Sequence, residues 1–305
     1  MPAEGIHLTA VREALSPGLS ASVRRRLARD ADAARFGALL VDLPYFHHFA
    51  GEVARYVLGI PAKPSVWGQR LHDGGAVDLL ASLIEVARRE RDDVLAAIAL
   101  GLASHCSIDR ALHPLINALA RAHVAGKNHD ASHREVEKFQ SICFHEQYMG
   151  RDMMGTAEIT SYLAIRLAEV LPARTTALLL EAWQRGLGSA PEPAELAGYV
   201  RGYRMHVRLL GTPLGKRLAP AAAKEAAKPR YLHGSWGGFA EQLGQAIAVS
   251  RTVLDAVGDL LDATGADVHA ARAQLASRLP RGTIDPAGEA VALARPYHVS
   301  LRLTP

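Results

Sequence analysis

The segment IALGLASHCSIDRALHPLINALARA, residues 98–122, constrains the fold more than any other part of the chain. It is apolar enough to form a buried helix, yet it carries His105, Asp109 and His113 at intervals of four residues. Residues four apart share one face of an α-helix and lie about 6 Å apart along its axis. A buried polar group without a partner costs about 1 to 3 kcal/mol, so the rest of the chain must supply partners for this stripe.

The remainder of the chain predicts an all-α fold, a multi-helix bundle. Ala, Leu, Arg and Glu recur throughout, whereas alternating clusters of β-branched residues are scarce. Helical patterns are expected at about 6–15, 19–30, 45–58, 74–90, 92–112, 115–125, 131–149, 156–171, 174–187, 193–210, 237–263 and 266–278. Pro114 predicts a kink or a restart between two of these helices, because proline disfavours helical geometry in the residue before it.

The segment GLGSAPEPAE, residues 186–195, has the composition of a linker. It predicts a helical domain at 1–187 and a C-terminal helical extension at 188–305. The last residues, RPYHVSLRLTP at 295–305, are expected to form a short extended segment. Ten of the fourteen histidines lie in the first 145 residues, so we expect the chemistry of the protein there.

The charge and hydropathy of the sequence indicate which kinds of partner the protein binds and in which cellular compartment it occurs. The net charge is only +4, and the basic run RRRLAR at 24–29 has no interleaved aromatic residue, so no nucleic-acid partner is expected. The N-terminal residues lack the apolar core of a signal peptide, and no stretch of about 18 apolar residues is free of charge. Cys106 and Cys143 have no disulfide framework around them. These features predict a cytoplasmic protein without a transmembrane segment.

A second stripe of potential ligands occurs in NHDASHREVEKF, residues 128–139. His129, His133 and Glu137 follow one another at four-residue steps there. One such stripe is common on a solvated helix face, but two stripes in one chain favour metal binding. Imidazole and carboxylate together are typical of zinc sites that keep one position open for water. No serine nucleophile elbow and no HExxH helix occurs, so these motifs support no other hydrolytic site.

Two further segments place polar residues beside turns. GALLVDLPYF at 37–46 holds Asp42 in an apolar run, and WGQRLHDGG at 67–75 holds His72 just before two glycines. Taken singly, Asp42 could be a helix cap and His72 a loop histidine. Taken with the two helical stripes, they make a multi-metal site the better interpretation.

The order of these motifs resembles the zinc-dependent phospholipase C family. That family shares its fold with the N-terminal domain of glycosylphosphatidylinositol-specific phospholipase D and with zinc single-strand nucleases. The resemblance covers about residues 5–150 and is carried by GIHLTA, GALLVDLPYF, WGQRLH, SHCSIDRALHP and HREVE. It implies an all-α domain with two or three zinc ions that hydrolyses phosphodiester bonds, including those of phospholipids.

The resemblance also implies a role for each matching residue. One zinc ion would be held by a set of four, namely Asp42, His72, His105 and Asp109. A second would be held by His113, His133 and Glu137, and a third by His7 with Asp109 as a bridge. Asp42 would in addition orient the attacking water or take its proton. In the secreted members the N-terminal tryptophan also binds the third ion, whereas this chain begins MPAEGIH.

Two other interpretations of the sequence stay open. An HD-type metal phosphohydrolase would use an adjacent His-Asp pair, His72-Asp73 or His129-Asp130, with His48 as the distant histidine. Alternatively, the domain could be a catalytically inactive, metal-stabilised helical binding module with residues 190–305 as its interaction surface. The sequence leaves the substrate and the oligomeric state undetermined.

Overall fold

The structure is a computed structural model that describes residues 4–15, 18–60, 63–123, 129–233 and 238–286. Within these ranges the chain is helical and has no strand, which confirms the predicted all-α class. The α-helices are α1 (Glu4–Ala14), α2 (Ala21–Arg29), α3 (Ala31–Leu39), α4 (Phe49–Val57), α5 (Val66–Arg70), α6 (Ala76–Glu90), α7 (Asp93–His123), α8 (His129–Met149), α9 (Ala157–Leu163), α10 (Leu167–Val170), α11 (Ala173–Leu187), α12 (Pro193–Leu210), α13 (Pro213–Arg217), α14 (Ala221–Tyr231), α15 (Phe239–Asp262) and α16 (Asp267–Arg278). A 3-10 helix at Leu43–Phe46 and a π-helical turn at Leu71–Gly75 complete the described elements.

Helix α7 is the central element, and it packs against α3, α6, α8 and α15. Two glycines allow the closest of these contacts. A Cβ atom at Gly101 would lie 1.9 Å from the Ala34 carbonyl oxygen, and one at Gly37 would lie 2.0 Å from the Ile98 carbonyl oxygen. The backbones of α3 and α7 therefore touch, which brings the turn after α3, with Asp42, beside the polar stripe of α7.

Of the kink or restart predicted at Pro114, the restart does not occur, because α7 continues through this residue to His123. An internal proline removes one backbone hydrogen bond and crowds the preceding turn, at a cost of about 3 kcal/mol. Leu112, Leu115 and Ile116 are buried on either side of it, and each buried side chain of this size contributes roughly 1.5 to 3 kcal/mol. Packing thus outweighs the local preference and keeps His113 in register with the rest of the stripe.

The sequence patterns did not predict α3 or α14. Helix α3 follows α2 directly, since Asp30 ends one helix and begins the next. Helix α14 is rich in alanine and has no strong apolar face, and Tyr231 at its end is buried. In both cases tertiary contact, with α7 for α3 and with α8 for α14, supplies the stabilisation that the local pattern does not show.

Helices from the predicted C-terminal extension pack directly on those of the predicted first domain. Helix α15 lies along α7 and α1, α12 contacts the 3-10 helix, and α14 contacts α8. Their buried residues belong to the same apolar core. The boundary at 187/188 itself stays a prediction, and the predicted extended segment at 295–305 lies outside the described residues.

Among the described residues, one segment is long and apolar enough to cross a membrane, Asp93–Ala122 within α7. It meets this criterion by length and composition alone. In its most apolar window 83% of the residues are buried inside the protein, as is usual for a central core helix. The segment is therefore weak evidence for a membrane span.

Candidate metal centre

Of the eight side chains that the sequence predicted as metal ligands, Asp109 is central, and four of the histidines lie within 4 Å of it. One carboxylate oxygen, Oδ1, lies 3.3 Å from His7 Nε2 and 3.5 Å from His113 Nε2. The other, Oδ2, lies 2.9 Å from His105 Nε2 and 3.8 Å from His72 Nε2. Asp109 thus occupies the central position that a bridging ligand requires.

The potential ligand atoms form three sets of three, and the atoms of each set lie within 4.8 Å of one another. The sets are His7, Asp42 and His105; His72, His105 and Asp109; and His113, His133 and Glu137. The last set coincides with the second zinc site that the resemblance implied. The other two sets share His105, and His7 Nε2 lies 4.0 Å from Asp42 Oδ2 as well as 3.3 Å from Asp109 Oδ1.

Several elements position these side chains. His7 comes from α1, Asp42 from the turn after α3 and His72 from the π-helical turn, while α7 and α8 supply the rest. Gly74, with φ of +128°, allows the chain to turn out of the π-helical segment and into α6. Asp42 precedes the 3-10 helix but makes no capping hydrogen bond with its side chain, and its Oδ1 lies 3.6 Å from His72 Nε2. The Asp42 side chain therefore points toward the cluster and does not cap the helix, the alternative role that the sequence suggested.

Backbone carbonyl groups fix the orientation of two of the histidines. His105 Nδ1 lies 2.7 Å from the Ala38 carbonyl oxygen, and His72 Nδ1 lies 2.8 Å from that of Gly68. A carbonyl oxygen only accepts, so each Nδ1 carries the proton and donates, which leaves the lone pair of Nε2 directed at the cluster. Metal-binding histidines are commonly held in this way by the nitrogen that does not bind the metal.

The buried nitrogens of the cluster are consistent with metal ligation. His105 Nε2 makes no well-aligned hydrogen bond, although Asp109 Oδ2 is close to it. Because Nδ1 of His105 carries a proton and donates it to Ala38, only Nε2 has a lone pair for a metal ion. His105 can therefore be a ligand in only one of the two sets that include it. His7 Nδ1 is buried and has no hydrogen-bond partner among the described residues. The His7 ring is instead held by stacking on His105, with ring centroids 3.9 Å apart.

Burial and neighbouring charges shift the pKa values of the cluster residues in different directions. Burial alone would lower the pKa of His105, but the charges of Asp109 and Asp42 raise it to about 9. Burial would raise the pKa of Asp109, yet the adjacent histidines hold it well below its usual range. Burial, together with the nearby His105, lowers the pKa of His7 to about 3. A metal ion binding here must therefore displace protons from histidines that are charged in its absence.

The centre opens to solvent along one edge. The side chain of His72 is 16% exposed, and those of His133 and Glu137 are 13% exposed, whereas that of His105 is fully buried. Ile108, Leu112 and other apolar residues line a small cavity together with Asp109, His113 and Glu137. The solvent-exposed edge of the centre is therefore formed by His72, His133 and Glu137.

Among the described side chains of the alternative HD interpretation, those of Asp73 and His48 take no part in the cluster. Asp73 is exposed and belongs to none of the three sets, although it neighbours His72. His48 stacks on His47, with ring centroids 3.8 Å apart, and also belongs to none of them. The side chains of the second pair, His129-Asp130, lie outside the described part of the chain.

Two residues that the sequence did not single out contact the centre. Asn117 bonds His133, and Asp285 lies beside His113. Asn117 is four residues beyond His113, so it continues the stripe of α7, and this spacing was a usable signal. Asp285 follows α16, far along the chain from every ligand, and no local pattern marks it.

Comparisons with protein-family models, with curated proteins and with solved structures found no match. The fold and the side-chain clusters define an all-α protein with buried groups able to hold metal ions.

Proposed function

We propose that this protein is a zinc-dependent hydrolase of phosphodiester bonds, similar to the phospholipases C. The observation that carries the proposal is the convergence of five histidines and three carboxylates, from five segments of the first half of the chain, in three sets of potential ligands. Burying so many ionisable groups without a counter-ion would be costly, which favours a metal centre over a packing role. The motif resemblance supports the same class of reaction.

The donor atoms favour zinc over other ions. They are imidazole nitrogens and carboxylate oxygens, and no cysteine belongs to the three sets. Zinc accepts this mixture, and three protein ligands leave a fourth position for water or for a phosphate oxygen. With Asp109 shared, the eight ligands suffice for two or three ions.

Different residues of the centre would have different roles in hydrolysis. When bound, zinc neutralises the phosphate and lowers the pKa of a bound water towards about 7. Asp109 stays ionised because its pKa is held low, whereas burial raises the pKa of Asp42. Two carboxylates with different proton affinities in one site can take different roles. We assign Asp42 to orienting the attacking water and accepting its proton.

The exposed edge of the centre suggests which phosphodiesters can reach it. Leu58 and Ile60, between α4 and α5, and Val66, the first residue of α5, are exposed apolar residues, and His72 lies in the turn that directly follows α5. Such side chains would contact acyl chains or a lipid surface more favourably than a polar substrate. This observation favours phospholipids among phosphodiester substrates, and no nucleic-acid substrate is proposed.

The proposal predicts metal-dependent turnover. The protein with added zinc should hydrolyse bis(p-nitrophenyl) phosphate, a chelator should abolish the activity, and zinc should restore it. Phosphatidylcholine vesicles, assayed for released phosphocholine, test the lipid substrate separately. Tight zinc binding without turnover of either substrate would instead support the inactive binding module.

A further inference from the structure

Residues 281–286, here called the C-terminal strap, follow α16 and lie beside the metal centre. The backbone N–H of Ile284 donates to the His72 carbonyl oxygen at 3.0 Å, and the Thr283 hydroxyl donates to the same oxygen at 2.9 Å. Arg110 donates from Nε to the Thr283 carbonyl oxygen at 3.1 Å. Ile284 is fully buried. The strap is thus bonded to two elements that carry ligands.

Asp285 in the strap and Asn117 on α7 connect two of the ligand histidines from behind. Asp285 Oδ1 lies 3.1 Å from His113 Nδ1, without a well-aligned hydrogen bond between them, and accepts a hydrogen bond from Asn117 Nδ2 at 2.9 Å. Asn117 Oδ1 lies 2.8 Å from His133 Nδ1. A chain of polar contacts, two of them hydrogen bonds, therefore runs from His133 through Asn117 and Asp285 to His113.

The donors and acceptors of these polar contacts allow one arrangement of protons around the set His113, His133 and Glu137. A carboxylate only accepts, so the Asn117 amide must turn its NH₂ group to Asp285 and its oxygen to His133. That oxygen also only accepts, and Nδ1 of His133 must donate to it. Nδ1 of His113 faces the Asp285 carboxylate, which also only accepts, so this nitrogen carries a proton too. Both Nε2 lone pairs then point at the metal set, where they lie 3.3 Å and 3.5 Å from Glu137 Oε1.

We propose that Asp285 and Asn117 are positioning residues of the set His113, His133 and Glu137, so that the C-terminal strap completes this metal site. The inference rests on the metal centre proposed above but not on its hydrolytic activity. A carboxylate behind a ligating imidazole fixes its tautomer and raises its basicity. His72 and His105 are held by backbone carbonyls, which mutation cannot remove. His113 and His133 are held by the side chains of Asp285 and Asn117, which mutation can remove.

The test uses the full chain with Asp285→Ala, Asn117→Ala and Asp285→Asn. Zinc affinities are measured by titration against a chromophoric chelator, and the visible spectrum of the Co²⁺-substituted protein reports ligand geometry. Loss of an outer partner of a ligating histidine costs about 10- to 100-fold in metal affinity. We expect that loss at one ion for both alanine variants, with an altered cobalt spectrum and unchanged affinity at the other ions. Asp285→Asn should show a smaller loss, because its amide oxygen still accepts a hydrogen bond but carries no charge.

Asp78→Asn is the matched control. Asp78 pairs with Arg281 of the strap at 3.2 Å and contacts none of the predicted ligands in the described structure. Its loss weakens the attachment of the strap without touching a histidine, so zinc affinities and the cobalt spectrum should match those of the wild type.

Unchanged affinities and spectrum in Asp285→Ala would overturn the inference. Equal weakening of all ions, or an equal effect of Asp78→Asn, would also overturn it by showing a general structural role. Failure of the proposed function looks different, because a wild-type protein that binds zinc without hydrolysing phosphodiesters leaves these affinity differences measurable. A wild-type chain that bound neither Zn²⁺ nor Co²⁺ would overturn both.

Discussion

Replacing Asp109 with asparagine should remove most of the bound metal and lower phosphodiester hydrolysis by about two orders of magnitude or more. Both carboxylate oxygens lie within 4 Å of histidine nitrogens from α1, α7 and the π-helical turn. Asparagine keeps the shape and one acceptor oxygen but loses the charge that offsets the dications. Losing only an outer partner costs about 10- to 100-fold, so losing a shared direct ligand should cost at least as much. Metal content by mass spectrometry and hydrolysis rates measure the two effects.

Asp73→Asn is the control for this substitution. Asp73 neighbours His72 but is exposed and lies in none of the three sets. We expect wild-type metal content and activity for this variant. Should Asp73→Asn abolish both while Asp109→Asn keeps them, the HD-type interpretation would replace the present one.

Removing the metal should lower the melting temperature by on the order of 10 °C, because ligation ties together five segments of the chain. A ligand at about 1,000 times its Kd stabilises the folded state by roughly 4 kcal/mol per ion, and at least two ions are expected. Differential scanning fluorimetry of zinc-loaded and chelator-treated protein measures the shift. If the melting curve stayed the same after complete removal of the metal, the histidines would be packed core residues.

The metal-free protein should in addition lose stability at alkaline pH. The pKa of His105 is raised to about 9 in the folded chain, above the unfolded value of about 6.5. Its contribution is fully present below the unfolded pKa and is lost as the pH rises through 9. The melting temperature of the metal-free form should therefore fall between pH 7 and pH 10, while the zinc-loaded form, with His105 bound to metal, should change less.

The spacing of polar residues in an apolar helix made much of the centre predictable. A stripe of His105, Asp109 and His113 cannot stay buried alone, and the partners proposed from other motifs do lie around it. The way the ligands are shared was not predictable. His7 lies near Asp109, as the resemblance implied, but it also lies 4.0 Å from Asp42, and sequence spacing carries no information on that second distance.

Local rules failed where tertiary packing or long-range contact decides the outcome. Pro114 suggested a break, but buried leucines on both sides keep α7 continuous. Asn117 extends the four-residue stripe and could have been identified from its position alone. Asp285 could not, because only the return of the strap beside the centre brings it to His113.

Metal analysis of the protein purified without chelator, under zinc-replete conditions, is the most direct test of a multinuclear zinc centre. Eight potential ligands exceed what one four-coordinate ion can use, so inductively coupled plasma mass spectrometry should find at least two zinc ions per folded chain. A well-folded preparation that holds one metal ion or none would contradict the proposed centre.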